Sequence, residues 1–306
     1  MPAASDRDLG HALRYGRDAP CNRIDGGPTE VPARRLSRAL VVGLPLAVAI
    51  TLCPGPVRAD AAEELCVAPP VAHRGASAAA PENTIPAFRA ALSSGVTQLD
   101  TDIRFTASGV PVLMHDKRVN RTTDGTGRIA AMSLEQVRAL DAGSWFSADF
   151  AGVRVPTFYQ ALKFVGSRGA RLQVELKVRP TEQQADDFLN RIRWLGMLQR
   201  VRVISFDEAT IDLVRAKEPA LQTAIIDKAD EARSADVVLQ YGTAYVVNFW
   251  SVTEARVESW RAAGLEVRPW TVNTIKGWRR MAFDDAGPVI TNRPVAYLSW
   301  ARSFCS

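Results

Sequence analysis

Histidine is nearly absent from this chain of 306 residues, which holds only His11, His73 and His115. Cysteine is almost as scarce, at positions 21, 53, 66 and 305. With so few soft ligands a zinc centre is disfavoured, and a bound metal would have to rely on oxygen donors. Long apolar runs are missing beyond residue 60, so no segment there is suited to span a bilayer as a helix. A strong excess of one charge is missing too, despite a formal net charge of +5. Eight arginines and five acids lie in residues 1–59, which leaves 30 basic and 28 acidic side chains of the chain's 38 and 33. The basicity therefore belongs mainly to the N-terminal part and does not argue for a nucleic-acid partner. With 47% hydrophobic residues, the chain suits one large or two small globular domains.

The N-terminal part has the pattern of an export signal. Arg34, Arg35 and Arg38 form a basic n-region, "ALVVGLPLAVAITL" (39–52) an apolar h-region, and "VRA" precedes a cut after Ala59. The Arg34-Arg35 pair hints at the twin-arginine route. Residues 1–30 show no periodicity, and a translation start at Val31 would account for so long a lead. The expected organisation is an extension plus signal peptide over 1–59 and a secreted domain over 60–306. Only Cys66 and Cys305 survive that cleavage. Two thiols near opposite ends of an exported domain suggest one disulfide.

From about residue 67, short apolar runs alternate with amphipathic ones. Strands are expected at 71–73, 97–105, 171–177, 201–205, 221–227, 244–248, 266–271 and 288–291. Helical patterns lie between them, among them "TIPAFRAALSSG", "TEQQADDFLNRIRWLG" and "TIKGWRRMAFDDAG". Such alternation implies parallel β-α units. One pair breaks the scheme: 97–105 and 110–115 are separated only by "TASG", too short for a parallel crossover, so they form an antiparallel hairpin. A turn centred on Ala107 and Ser108 places His115 opposite Asp100. Eight strands in about 250 residues suit a (β/α)8 TIM barrel. Residues 106–155 read as a small insertion after the second strand, with "SLEQVRALDAG" as its helix.

Charged residues collect where barrel strands end, which is where such folds place chemistry. The first strand ends "AHRG", the second carries "LDTD", its hairpin partner ends "LMHD", and the third reads "VELK". Asp100 and Asp102 are two apart on a strand and share a face, as do Glu175 and Lys177. Three carboxylates facing one space repel one another, and a divalent cation relieves that. An all-oxygen set favours Ca²⁺ or Mg²⁺. His73 and His115 can serve as base and acid in displacement at phosphorus, with Arg74 and Lys177 balancing phosphate charge. Structural readings compete. Asp100 and Asp102 could be satisfied by Arg104 and Lys117, whereas a Glu175–Lys177 pair looks poorly placed along one strand face. "RTTDGTGR" reads as a loop shaped by its glycines.

Taken in order, "HRGASAAAPENTIPAF", "LDTDIRFTASGVPVLMHD", "RTTDGTG", "VELK", "WTVN" and "VITNRP" resemble the glycerophosphodiester phosphodiesterase family over roughly residues 70–295. The resemblance implies hydrolysis of glycerophosphodiesters to glycerol 3-phosphate and an alcohol. Either water or a neighbouring glycerol hydroxyl, through a cyclic phosphate, would attack. It implies His73 and His115 as catalytic residues, and Asp102 and Glu175 as metal ligands. Asp100 stands where the family usually has Glu and is kept as a third ligand. Arg74, Lys177, Glu82 and Trp270 match substrate-binding positions. Asn292 stands where the family often has Asp, a change expected to touch a loop contact and not the chemistry. The same framework would also suit a phospholipase D-like enzyme acting on lysophospholipid or sphingolipid headgroups. Residues 142–150, "AGSWFSADF", would then offer transient contact with a membrane surface.

Overall fold

The computed structural model describes residues 65–228 and 232–306. The expected signal segment lies outside the described residues. The strands are β1 (Val71–Ala72), β2 (Gln98–Phe105), β3 (Pro111–Leu113), β4 (Arg171–Leu176), β5 (Val201–Ser205), β6 (Gln222–Asp227), β7 (Ala244–Asn248), β8 (Glu266–Trp270) and β9 (Ile290–Thr291). The helices are α1 (Ile85–Ser93), α2 (Leu134–Ala139), α3 (Phe158–Gly166), α4 (Glu182–Trp194), α5 (Glu208–Lys217), α6 (Ala235–Leu239), α7 (Glu254–Ala262), α8 (Ile275–Phe283) and α9 (Pro294–Cys305).

Eight of the strands run parallel in the order β8-β7-β6-β5-β4-β2-β1-β9, and β3 hangs antiparallel on β2. Val272 N–H donates to Ile290 O at 2.9 Å, which carries β8 to β9 and nearly closes the ring. This is the expected α/β barrel. Caps start the outer helices where the sequence changes period. Thr84, Thr181, Asp207, Thr253 and Thr274 each accept from a backbone N–H in the first turn of the next helix. Three helices lie outside the expected patterns: α3, α6 and α9. For α3 the signal was present, because Thr157 and Gln160 form a capping box and Phe158, Ala161, Leu162 and Val165 make one buried stripe.

Side chains alternate along the strands, so one set fills the ring and the other meets the helices. Outside the ring, the core packs rings such as Phe158 on Phe188, stacked with centroids 4.5 Å apart. Inside it, Ile204, Ala224, Ile226, Ala244, Val246 and Ile290 make a small apolar cluster on one side. Asp100, Asp102, Gln173 and Glu175 stand on β2 and β4, where Asp100 pairs with Gln173 and Asp102 with Glu175. The interior is thus polarised across its width.

The hairpin register differs by one residue from the expected one. Ile103 pairs with Leu113 and Arg104 with Val112, and Thr106 N–H donates to Val110 O. The loop has three residues rather than two, because Gly109, at φ 81°, supplies the left-handed position such a loop requires. A last bond runs from Met114 N–H to Asp102 O at 3.0 Å, and His115 follows just beyond the paired residues. The segment between β3 and α3 carries its own apolar cluster, including Val119, Ile129, Val137 and Leu140. At the far end a Cys66–Cys305 disulfide joins the lead into β1 to the end of α9.

Candidate active site

β1 delivers His73, Arg74 and Gly75 to the rim. His73 N–H donates to Thr291 O, the last bond of the β1–β9 ladder, and the chain then turns sharply. Gly75 sits at φ 82°, and a Cβ there would lie 2.7 Å from Ala87, so only glycine lets α1 pack this close. Arg74 is itself left-handed, at φ 57°, a conformation that costs a non-glycine residue about 1–2 kcal/mol. Its guanidinium is fixed by two acids, Glu82 Oε1 at 2.9 Å and Asp102 Oδ2 at 3.1 Å. The second is an ion pair without aligned hydrogen-bond geometry.

A cavity of about 160 Å³ opens at this end of the barrel, walled by His73, Arg74, Asp100, His115, Glu175 and Lys177 on one side. Ile204, Phe206, Ile226, Val246, Trp270 and Ile290 make the other. Phe206 and Trp270 meet edge to face at 5.7 Å, and the buried Trp270 Nε1 has no hydrogen-bond partner. Most residues singled out in the sequence therefore converge on one space. Asp102 lies just behind it, 1% exposed, joined to Arg74, to Asn83 Nδ2 at 2.8 Å and, more distantly, to Lys177 at 3.8 Å. Glu82 does not wall the cavity. Its carboxylate is taken up by Arg74 and by both Nη atoms of Arg121.

Several sequence-level expectations need correction. Lys177 Nζ does pair with Glu175 Oε1, at 2.6 Å. Both side chains point into the ring, and Lys177, one residue past β4, is long enough to turn back. Arg104 does not serve the aspartates; its Nε donates to His115 O at 2.8 Å. Asn292 is no peripheral residue: its Oδ1 lies 2.6 Å from His73 Nδ1. Its own backbone N–H donates to Asn273 Oδ1, so "WTVN" and "VITNRP" meet behind the histidine. Asn83 was also missed. Besides binding Asp102, it accepts from Thr101 Oγ1 and Asp102 N–H, so the Asn of "PENT" staples α1's lead to β2.

The second histidine has a comparable support. His115 Nδ1 is 2.6 Å from Asp116 Oδ1, and Asp116 Oδ2 accepts from Arg121 Nε at 2.6 Å. Arg121, from "RTTDGTG", therefore links Asp116 to Glu82 and ties the insertion to the rim. No period or spacing could have found that link, since the two ends are 34 residues apart and neither lies in a regular element.

Burial and charge together set the protonation states. Burial, with Arg74 nearby, lowers the His73 pKa to about 4, and burial lowers that of His115 as well. Both are neutral near pH 7. Burial, then repulsion from Asp102, pushes the Asp100 and Glu175 carboxyls well above their ordinary range. Burial alone would raise Asp102 too, but Arg74 and Lys177 outweigh it and hold that group low. Three acids thus face two cations, and the imbalance falls on Asp100 and Glu175. That hard-oxygen set with surplus negative charge fits a divalent cation. As they stand, among the described residues no three His, Cys, Asp or Glu side chains converge into a cation cage, and Glu175 is turned to Lys177.

Residues 73–296 match the glycerophosphoryl diester phosphodiesterase family. The chain belongs to that family. A glycerophosphodiester phosphodiesterase of Caldanaerobacter subterraneus is 29% identical over 238 residues, covering 76% of this chain and 97% of the relative. Glycerophosphodiester phosphodiesterase 1 of Homo sapiens is 30% identical over 238 residues, 67% of this chain and 71% of that protein. Among solved structures, the Agrobacterium tumefaciens glycerophosphodiester phosphodiesterase superposes with a TM-score of 0.69 at 28% identity, covering 76% of this chain and all of that one. An Oleispira antarctica phosphodiesterase, solved with its product sn-glycerol-3-phosphate, shares the fold at a TM-score of 0.69 and 24% identity over 77% of this chain and 97% of that one. Family membership makes this chain an enzyme, a phosphoric diester hydrolase.

Proposed function

We propose that the protein hydrolyses glycerophosphodiesters to glycerol 3-phosphate and an alcohol, using His73 and His115 for proton transfer and one Ca²⁺ or Mg²⁺ held by Asp100, Asp102 and Glu175. The observation that carries this reading is the placing of two supported, neutral imidazoles and a surplus of carboxylate on one wall of a single cavity. Asn292 Oδ1 can only accept, so His73 carries its proton on Nδ1 and presents a bare Nε2. It takes the proton of the attacking hydroxyl, whether water's or the substrate's own. His115 rests neutral with its Nδ1–H donating to Asp116. It first takes up a second proton at Nε2, as an imidazolium that Asp116 favours, and gives that proton to the leaving alkoxide as the P–O bond breaks. Arg74 and Lys177 receive the phosphoryl oxygens, Lys177 on release from Glu175. When bound, the cation supplies Lewis-acid polarisation of the phosphate. The apolar wall, with Phe206 and Trp270, takes the alcohol.

Chelation should abolish release of glycerol 3-phosphate from glycerophosphocholine, and Ca²⁺ or Mg²⁺ should restore it. Full turnover after EDTA would remove the metal from the scheme, and no turnover under any condition would remove the substrate. A second reading, action on lysophospholipids at a membrane surface, draws support from Trp145 and Trp250. Both are exposed on segments that follow the C-terminal ends of strands, at 40% and 69%. Preference for lysophosphatidylcholine over glycerophosphocholine would favour it. The Cys66–Cys305 disulfide supports an exported, oxidising destination for the domain.

Asn292 supplies a sharper test of the His73 role. Asn292→Leu removes the acceptor from Nδ1, and losing one such bond should lower kcat about tenfold with KM little changed. Asn292→Asp should keep kcat while moving the acid limb of the pH profile upward, because a carboxylate favours the imidazolium. In the wild type that limb should lie well below the ordinary imidazole value of about 6.5, and a bound cation pushes in the same direction. An unshifted limb in Asn292→Asp would exclude His73 as the group that titrates.

A further inference from the structure

Beneath the cavity the barrel floor holds a buried charge of its own. Arg268, on β8, is 5% exposed. Its Nη2 donates to Glu266 Oε1 at 2.9 Å and Gln98 Oε1 at 3.1 Å, and Arg202 grips the other oxygen of Glu266 at 2.7 Å. Its Nη1 donates to Gln173 Oε1 at 3.1 Å. Gln173, 3% exposed, in turn donates from Nε2 to Asp100 Oδ1 at 3.0 Å. The chain of contacts runs from the floor to the carboxylate through Gln173, which lines the cavity beside Asp100.

Chemistry dictates the direction of this chain. A guanidinium only donates, so the Gln173 atom that faces Arg268 has to be the carbonyl oxygen. The other end of the carboxamide is then the NH2 group, and that is what Asp100 meets. Without Arg268 the amide is free to turn over, which would set its oxygen against a carboxylate oxygen. Two acceptors in contact inside a protein repel, and the carboxylate would have to rotate away.

We infer that Arg268 is a positioning residue for Asp100: from the barrel floor it fixes the orientation of the Gln173 amide, which holds Asp100 in place to receive the cation. The inference rests on the reading of Asp100 as a cation ligand. It gives a role to a guanidinium that is 5% exposed inside the barrel. Supports of this kind behind a ligand commonly change metal affinity by about 10–100-fold.

The test is calorimetric titration of the chelator-treated full-length protein with CaCl2 and, separately, MgCl2. Arg268→Met should weaken binding about tenfold. Arg268→Lys, still a pure donor, should stay within about threefold of wild type. Gln173→Leu should weaken binding as Arg268→Met does while leaving Arg268 paired with Glu266, and it decides the matter if Arg268→Met fails to fold. Wild-type affinity in folded Arg268→Met or Gln173→Leu would overturn the role of Arg268 and leave the cation site standing. A wild-type protein that takes up neither ion would instead overturn the cation site itself.

Discussion

Replacing His73 by alanine is expected to cut kcat/KM for glycerophosphocholine by about 10²–10⁴, the usual contribution of a positioned acid or base. His115→Ala should fall by a similar factor. Neither change should unfold the protein. Each imidazole makes one side-chain bond, to Asn292 or to Asp116. Both partners are only half-buried, and both histidines line the cavity, so water can replace the lost group and the stability cost is about 1 kcal/mol. Circular dichroism and the thermal midpoint should therefore change little while turnover collapses. Combining the two substitutions should cost less than the product of the single effects, because residues acting in one step are not additive. Near wild-type turnover in either folded single variant would end the acid-base assignment.

Asp102→Ala should act on stability as well as activity. Asp102 is buried and serves Arg74, Asn83 and, at longer range, Lys177. Removing it leaves Arg74 with Glu82 alone and an amide donor of Asn83 with no acceptor. Breaking a buried ion pair from one side typically costs about 3–5 kcal/mol. One effect opposes this: with Asp102 gone, Asp100 and Glu175 lose a repelling neighbour. The lower end of the range, about 3 kcal/mol, is the expected result, which corresponds to a fall of roughly 6–12 °C in thermal midpoint for a domain of this size. Because Asp102 is held below its unfolded pKa, its contribution is complete at neutral pH and is lost as pH drops through the folded value. The gap between wild type and variant should thus narrow only in strong acid. Turnover should fall by at least the ~100-fold seen when residues that merely support a metal ligand are removed. A variant as stable as wild type would mean that Arg74 and Asn83 find other partners.

The separation between what could be read early and what could not follows the range of the interactions. Periodicity marked all eight barrel strands, because each is a local apolar run bounded by a turn or a cap. The hairpin was legible in kind but not in register, since one glycine at positive φ lengthened its loop by a residue. For α3, a capping box and an apolar stripe were there to be read.

At the site, residue types at strand ends gave the acids, the two histidines and the two cations. Their partners were invisible. Asn292 lies 219 positions from His73, and Arg268 lies 95 from Gln173. Arg121 joins Glu82 to Asp116 from a loop in which the sequence pattern marks only the glycines.

The sequence alone determined the barrel, the family and the types of group that do chemistry, because alternation along a strand and position at its end are properties of a few consecutive residues. Only the tertiary structure decided how those groups are held. Which imidazole nitrogen is bare, which way an amide faces and which acid carries the surplus charge all depend on side chains brought together by closing the ring, and distance along the chain says nothing about them.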